Sequence, residues 1–365
     1  DTNVTAQFSR SELKAPFGYG YDFIGPEALL KELKVKRGKL VTPSGMEYST
    51  LFVGGAGLRM SEEVRERIDS FKKSGIRVLE GTEVHYVKKT IEPDLILSDA
   101  GDMQFVHRTA PDAEIYWICN SMDCPRTQEA SFRISGRKPR LWHPETGAVS
   151  DLPYRFAGGR TYITLKFAGD EAYFVVFEEK VRDSSFDVAE EVLTDSTPVC
   201  GPWEGSFNLE TGAPAHILMP GLSSWTESSR PEIKYYSGTA KYRTTFSFRP
   251  DGGRYVLNLG NVGSIACVDL NGRDLGQCWK SPYEMDITGA LCEGENTLEI
   301  SVTNLWVNRL IGDAGRKDRT TYFSYDFYKA DYPLLLSGLI GPVSIDAYGP
   351  HPKYSDFDNP DFAKM

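Results

Sequence analysis

Hydrophobic positions in the first hundred residues alternate between helix-like and strand-like spacing. Residues 26–33 predict a short helix that begins at a proline, and the apolar run at 49–55 predicts a buried strand ending at glycines. Residues 61–75 have apolar side chains at helical spacing, a serine suited to N-capping and a glycine suited to ending the helix. Residues 76–79 predict the next strand. Strand, helix and strand in this order indicate a small α/β (flavodoxin-like) layer, which we assign to residues 1–100.

From residue 103 onwards the hydrophobic period changes to two, and turn residues separate short apolar runs. Such spacing is typical of an antiparallel β-sandwich, assigned to residues 101–197. Within it, the polar stretch 179–197 is interpreted as a connector. The predicted strands are 104–108, 114–120, 130–135, 161–167 and 172–178.

The alternating pattern returns over residues 198–350, which we assign to a jelly roll. Asn271-Gly272 between two apolar runs is a strong hairpin signal. The predicted strands are 241–248, 254–259, 265–270 and 296–302. Residues 351–365 are a tail. The whole chain is therefore predicted to be multidomain and mainly β, with an α/β layer followed by a β-sandwich and a jelly roll.

Composition narrows the possible partners. The chain has 365 residues and a formal net charge of −10. A strongly acidic balance disfavours nucleic acid and anionic membrane, whereas neutral sugars require no basic face. The sequence contains no run of eighteen apolar residues. It begins at Asp1 without an initiator methionine, so we expect a mature or excised segment.

Motifs for nucleophilic, zinc or dinucleotide chemistry are weak. The six cysteines form no CxxC pair and are too sparse for a disulfide scaffold, so we expect mostly buried thiols. The glycines of VGGAG at 53–57 do not follow the dinucleotide spacing and are interpreted as a structural turn. The five histidines are isolated in sequence, and His107 is interpreted as a hydrogen-bonded structural residue.

Residues 303–313, TNLWVNRLIGD, contain the most varied set of functional groups in the chain. They bring together an aromatic ring, two amides, a guanidinium and a carboxylate. A ring can pack on the C–H face of a pyranose while the polar groups bind vicinal hydroxyls, so the stretch predicts carbohydrate binding. An alternative stays open, in which the arginine and aspartate pair and the tryptophan fills the core. The candidate residues are Asn304, Trp306, Asn308, Arg309 and Asp313.

These residues also carry a family resemblance. The stretches 236–246, 268–279, 281–288 and 294–313 resemble the galactose-binding-like domain of β-galactosidases and β-glucuronidases. The detail of WVNRLIGD looks most like the C-terminal region of bacterial α-L-rhamnosidases, and upstream segments such as LWHPETG extend that resemblance over most of the chain.

The resemblance implies that the catalytic glutamates and a calcium site lie in a large (β/α)8 barrel. A barrel takes about 250 residues of repeated βα units, and this chain offers one or two such units. We therefore assign no catalytic residue here. The expected role is an accessory region of an α-L-rhamnosidase-like enzyme, whose partners are carbohydrate and the catalytic barrel. A self-standing carbohydrate-binding module and an independent glycosidase with an unrecognised carboxylate pair are the alternatives.

Two further expectations accompany this resemblance. No cofactor is expected, although a structural calcium ion is possible because galactose-binding-like sandwiches often hold one through loop oxygens. The protein is expected to be periplasmic or secreted.

Overall fold

The computed structural model describes residues 16–53, 60–80, 87, 91–188, 191–208, 213–319, 321 and 327–350. The chain divides into two compact units, Asp1–Val188 and Ala189–Met365. Strands dominate both units, which confirms the multidomain, mainly β class. The domain boundaries proposed from the sequence stay predictions.

The first unit begins with the α/β layer. Strands β4 and β5 pair in parallel, with Leu51 opposite Val78, and helix α2 connects them in sequence, as predicted. The Ser61 hydroxyl caps α2 by accepting a hydrogen bond from the Val64 N–H at 3.4 Å. Three short antiparallel strands, β1 to β3, precede this βαβ element. The bounds are α1 Pro26–Lys31, β1 Lys34–Lys36, β2 Lys39–Val41, β3 Glu47–Tyr48, β4 Thr50–Val53, α2 Glu62–Lys73 and β5 Arg77–Glu80.

A sandwich of two five-stranded sheets follows in the same unit. One sheet has the order β11-β10-β14-β8-β7 and the other β15-β12-β13-β9-β6. Tyr116, Phe132 and Phe177 pack in the core with ring centroids 4.9–5.9 Å apart. The bounds are β6 Leu95–Leu97, β7 Met103–Thr109, β8 Glu114–Asn120, β9 Arg126–Phe132, β10 Arg137–Trp142, β11 Val149–Asp151, β12 Tyr154–Ala157, β13 Arg160–Phe167, β14 Ala172–Lys180 and β15 Ser185–Phe186.

The second unit contains a four-stranded sheet, β16-β27-β20-β24, and a six-stranded sheet, β18-β17-β19-β25-β22-β23. A short pair, β21-β26, completes it. Its strands are β16 Glu191–Pro198, β17 Trp203–Ser206, β18 Ile217–Met219, β19 Thr239–Phe248, β20 Arg254–Asn258, β21 Asn261–Gly263, β22 Ile265–Leu270, β23 Arg273–Cys278, β24 Glu284–Asp286, β25 Gly294–Thr303, β26 Gly338–Gly341 and β27 Ser344–Pro350. Its helices are α3 Pro231–Lys234, α4 Val307–Asp313 and a 3-10 turn at Trp225–Glu227.

Two sequence interpretations are wrong. Residues 179–197 are not a plain connector, because β16 pairs along β27 at the edge of the four-stranded sheet. Most side chains of this edge strand are exposed, so it lacks the alternation that marks a strand with one buried face.

The cysteines are also placed differently from the expectation. None of the six cysteines forms a disulfide in the structure, and four of them are exposed rather than buried. Cys267, for example, lies on the exposed side of β22, whose neighbouring residues Ala266 and Val268 point into the core. A small apolar side chain in a strand thus takes the face that its position dictates. The exposed cysteines are Cys124, Cys200, Cys267 and Cys292.

The hairpin predicted at Asn271-Gly272 is confirmed. Asn271 has φ 58° and Gly272 has φ 78°, and they join β22 to β23. Two-residue turns with positive φ at both positions match the right-handed twist of the flanking strands. The Asn271 amide group also donates to the Ala290 carbonyl at 2.9 Å and to Asn296 Oδ1 at 2.8 Å.

We expect Gly272→Ala to lower the free energy of unfolding by about 1 kcal/mol, because a Cβ is strained at this positive φ. A Cβ at Gly272 would meet no atom within 4 Å, so the cost is one of backbone conformation alone. Gly221 has equally open surroundings without a left-handed φ, which makes Gly221→Ala the matched control. Urea unfolding followed by tryptophan fluorescence compares them, and equal midpoints for the two variants would refute the argument.

Candidate carbohydrate-binding loop

The 303–313 segment leaves the six-stranded sheet at the end of β25 and continues into helix α4. Ile311 on this helix is buried. A second segment, residues 335–337, lies beside it and leads into β26. The orientation of each candidate side chain between these two segments determines what the loop can contact.

Asn304 is a buried cross-link and presents little surface to a ligand. Its amide group donates to the Tyr236 carbonyl at 2.8 Å and to the Ser337 hydroxyl at 3.3 Å. Its Oδ1 accepts from the Gly238 N–H at 3.0 Å. All of these bonds connect the end of β25 to neighbouring segments, so Asn304 fixes where the segment leaves the sheet.

Asn308 is a second buried cross-link, on the first turn of α4, and is only 1% exposed. Its amide group donates to the Leu335 carbonyl at 2.7 Å and to the Ser337 hydroxyl at 2.9 Å. Its Oδ1 accepts from the Leu335 N–H at 2.8 Å. Both polar atoms of the amide are therefore used inside the protein.

Arg309 and Asp313 form an ion pair one turn apart on α4, with Nη2 and Oδ1 separated by 3.1 Å. The buried Asp313 also accepts hydrogen bonds from the backbone N–H and the hydroxyl of Thr321, both at 2.9 Å. A buried carboxylate needs such partners, since an unpaired charge away from water is costly. The arginine–aspartate pair considered in the alternative interpretation thus forms.

Trp306 is the exception among the five candidates, because 63% of its surface is exposed. The suggestion that it fills the core is wrong. Three further apolar side chains in the two neighbouring segments are also exposed. We call the four residues the apolar rim: Leu305, Trp306, Leu335 and Leu336.

Ser337 and Ser224 complete this corner, and the sequence did not reveal them. The Ser337 hydroxyl accepts from Asn304 and Asn308 and donates to the Leu335 carbonyl at 3.1 Å. Its backbone N–H donates to the Ser224 hydroxyl at 3.1 Å. Serine is common in loops and these partners are far apart in sequence, so no local signal marked them.

Outside the loop, the structure tests the other tryptophans and the possible metal sites. Trp203 and Trp225 are buried, whereas Trp279 is exposed. Among the residues that the structure describes, no group of three or more His, Cys, Asp or Glu side chains is placed to hold a metal ion. The suggested structural calcium stays a prediction, and the glycines at 54–57 lie outside the described residues. No described helix is long and apolar enough to cross a membrane.

Comparison with known proteins relates the chain to glycoside hydrolases. A family model described as alpha-L-rhamnosidase matches residues 1–85 and 78–156. A model described as glycosyl hydrolase 2 galactose-binding domain-like matches residues 228–319. A solved rhamnosidase from Novosphingobium sp. PP1Y is 33% identical and superimposes with a TM-score of 0.81 over 91% of this chain.

The chain is similar to that rhamnosidase along nearly all of its own length. It spans 36% of that rhamnosidase chain. A putative β-glucuronidase from Formosa agariphila is 35% identical over 177 residues, which are 40% of this chain and 15% of that protein. The resemblance to α-L-rhamnosidases and to the galactose-binding-like domain is confirmed.

The loop geometry leads to opposite expectations for two neighbouring side chains. Asn308→Ala should lower the free energy of unfolding by about 1–3 kcal/mol, because it leaves the Leu335 N–H and carbonyl without their partners. Trp306→Ala should change it by no more than about 0.5 kcal/mol, since the ring is exposed. Urea unfolding of both variants measures this difference. A strongly destabilised Trp306 variant would show that the ring belongs to the core after all.

Proposed function

We propose that this chain is an accessory, non-catalytic region of an α-L-rhamnosidase-like glycoside hydrolase that acts on carbohydrate in the periplasm or outside the cell. In this role it braces the catalytic barrel and supplies Trp306 to one rim of the substrate cleft.

The observation that carries this proposal is the pairing of the strands. A (β/α)8 barrel requires eight parallel strands. Among the strands described, β4 and β5 form the one parallel pair, and every other strand-to-strand pairing is antiparallel. The 36% share of the solved rhamnosidase that this chain spans leaves room for a barrel elsewhere in a complete enzyme.

The apolar rim supports an interface with another domain or a ligand. Exposed apolar side chains gathered on one surface are typical of sites where a protein contacts a partner. The polar groups of Asn304, Asn308, Arg309 and Asp313 are used in contacts within the protein, so they fix the backbone that carries Trp306. An exposed ring on a fixed backbone can pack on the apolar face of a sugar or on a neighbouring domain.

The exposure of Trp306 also favours a second candidate, a self-standing carbohydrate-binding module. In that case the ring and the exposed edge of the loop would bind glycans weakly without a barrel. A module and an accessory region differ in one respect that can be measured, which is whether the isolated chain binds sugar.

We expect the isolated 365-residue chain neither to hydrolyse an aryl α-L-rhamnoside nor to bind rhamnosides or pectic oligosaccharides measurably in isothermal titration. Both results follow if the cleft is completed only by the barrel. Clear binding that Trp306→Ala abolishes would favour the module instead. Turnover by the isolated chain would overturn the proposal and point to an unrecognised carboxylate pair.

In a complete enzyme that contains this region, Trp306→Ala should lower kcat/KM for a rhamnoside by about 10-fold, the effect of roughly 1.4 kcal/mol of lost contact. Trp142→Ala is the control, because Trp142 is also an exposed tryptophan but lies in the first unit, outside the loop. Unchanged kinetics for Trp306→Ala alongside a normal unfolding midpoint would remove the loop from the substrate cleft.

A further inference from the structure

His107 on β7 lies between two carboxylates. Its Nε2 is 2.8 Å from Glu114 Oε2, and its Nδ1 is 3.4 Å from Asp94 Oδ2. An ionised carboxylate only accepts hydrogen bonds. Both ring nitrogens must therefore carry a proton for both contacts to be favourable, and this requires the imidazolium form.

An aromatic ring, a hydroxyl and further charged groups surround His107 and its two carboxylates. The buried Tyr116 ring stacks on the imidazole with centroids 4.0 Å apart and planes within 7°. Thr109 also donates to Glu114, at 2.7 Å from Oγ1 to Oε2. Arg133 is the cation that pairs with Asp94, with its Nε 3.1 Å from Oδ1. Arg160 and Glu92 lie at the edge of this cluster, 3.8 Å apart.

Asp94 connects this cluster to the chain between the α/β layer and the sandwich. It stands immediately before β6, the first sandwich strand described. Its backbone N–H donates to the Gly18 carbonyl at 2.7 Å, and its carbonyl accepts from the Arg133 N–H at 2.9 Å. We call residues 91–94 the junction.

Two other side chains hold the same junction. The Tyr19 hydroxyl donates to the Ile91 carbonyl at 2.6 Å, and Arg160 Nη1 donates to the Pro93 carbonyl at 3.1 Å. The junction is thus bound to the sandwich through Arg133 and Arg160 and to the segment before α1 through Gly18 and Tyr19, by neutral and charged contacts. The contact of Asp94 with His107 is the one that depends on a proton within the usual range of histidine titration.

We propose that protonated His107 stabilises the junction between the α/β layer and the sandwich, because it donates hydrogen bonds to both Asp94 and Glu114. The junction is thereby sensitive to pH. Loss of the proton leaves a ring lone pair facing one carboxylate. The junction then becomes less stable while its neutral contacts remain.

The directions of the pKa changes agree with this arrangement. Burial lowers the pKa of His107, but the hydrogen bonds and charges of Asp94 and Glu114 outweigh it and hold the pKa above its ordinary value. Burial raises the pKa of Asp94, while His107 and Arg133 lower it by more. The His107 contribution to stability is therefore fully present below the ordinary histidine pKa and is lost as pH rises through the raised pKa. The Asp94 contribution is lost in the opposite direction, as pH falls through its lowered pKa.

The test follows thermal unfolding of the 365-residue chain between about pH 5 and 9. The transition of the first unit should lose roughly 2–4 °C more in the wild type than in His107→Gln as pH rises through the His107 titration. His143→Gln is the control in the same unit, and it should keep the wild-type pH dependence. Identical profiles for the wild type and His107→Gln would overturn the proposal.

Proton NMR of the histidine ring supplies a second readout, which reports on the ring itself and not on unfolding. The His107 signal should titrate above the range of an ordinary histidine, and Glu114→Gln should move its midpoint to lower pH by removing one negative neighbour. A His107 midpoint at or below the ordinary value, or one that Glu114→Gln leaves in place, would show that the ring is a neutral structural residue. Neither outcome bears on whether the chain serves a glycosidase.

Discussion

Hydrogen bonding of buried amides determines the shape of the corner where the 303–313 segment leaves the jelly roll. The chain must turn out of a ten-residue strand and return through residues 335–337, and each backbone group buried on the way needs a partner. Asn304 and Asn308 supply these partners, and both converge on the hydroxyl of Ser337. Since each amide uses donor and acceptor together, neither can rotate without leaving a buried group unpaired. The exposed position of Trp306 is a consequence of this inward orientation of its neighbours.

This arrangement explains why residues suited to sugar recognition need not touch a sugar. Amides, a guanidinium and a carboxylate are the groups that bind hydroxyls, but they are also the groups that complete a buried corner. In this loop Arg309 and Asp313 neutralise one another, and Asp313 receives two further hydrogen bonds from Thr321. The polar residues hold the loop, and the aromatic ring is left to make outside contacts. In the accessory role proposed above, this exposed ring is the part of the loop that could contact a sugar or the barrel.

The sequence predicted those elements whose side chains alternate between a buried and an exposed face. The βαβ element, the Asn271-Gly272 hairpin and five of the ten described sandwich strands (β7, β8, β9, β13 and β14) were predictable, because local spacing and turn chemistry specify them. Edge strand β16 escaped prediction because most of its side chains are exposed, so its pairing with β27 leaves no alternating pattern in the sequence. The orientation of Asn304 and Asn308 could not be predicted either. It depends on Ser337, about thirty residues later, and nothing in the composition of the loop distinguishes an amide that holds backbone from one that binds a ligand.

The polar networks around Ser337 and His107 differ in how they respond to protons. The network around Ser337 consists of neutral amides and hydroxyls, none of which titrates between about pH 4 and 9, so its hydrogen bonds are kept over that range. The network around His107 is built from charges, and its central member changes charge in the range where histidine titrates. Of these two networks, the one at the junction in the first unit is therefore the one whose stability depends on pH. The two networks differ because of their chemical groups. An amide donates to a buried carbonyl at any of these pH values, whereas an imidazole donates to two carboxylates only while it holds its second proton.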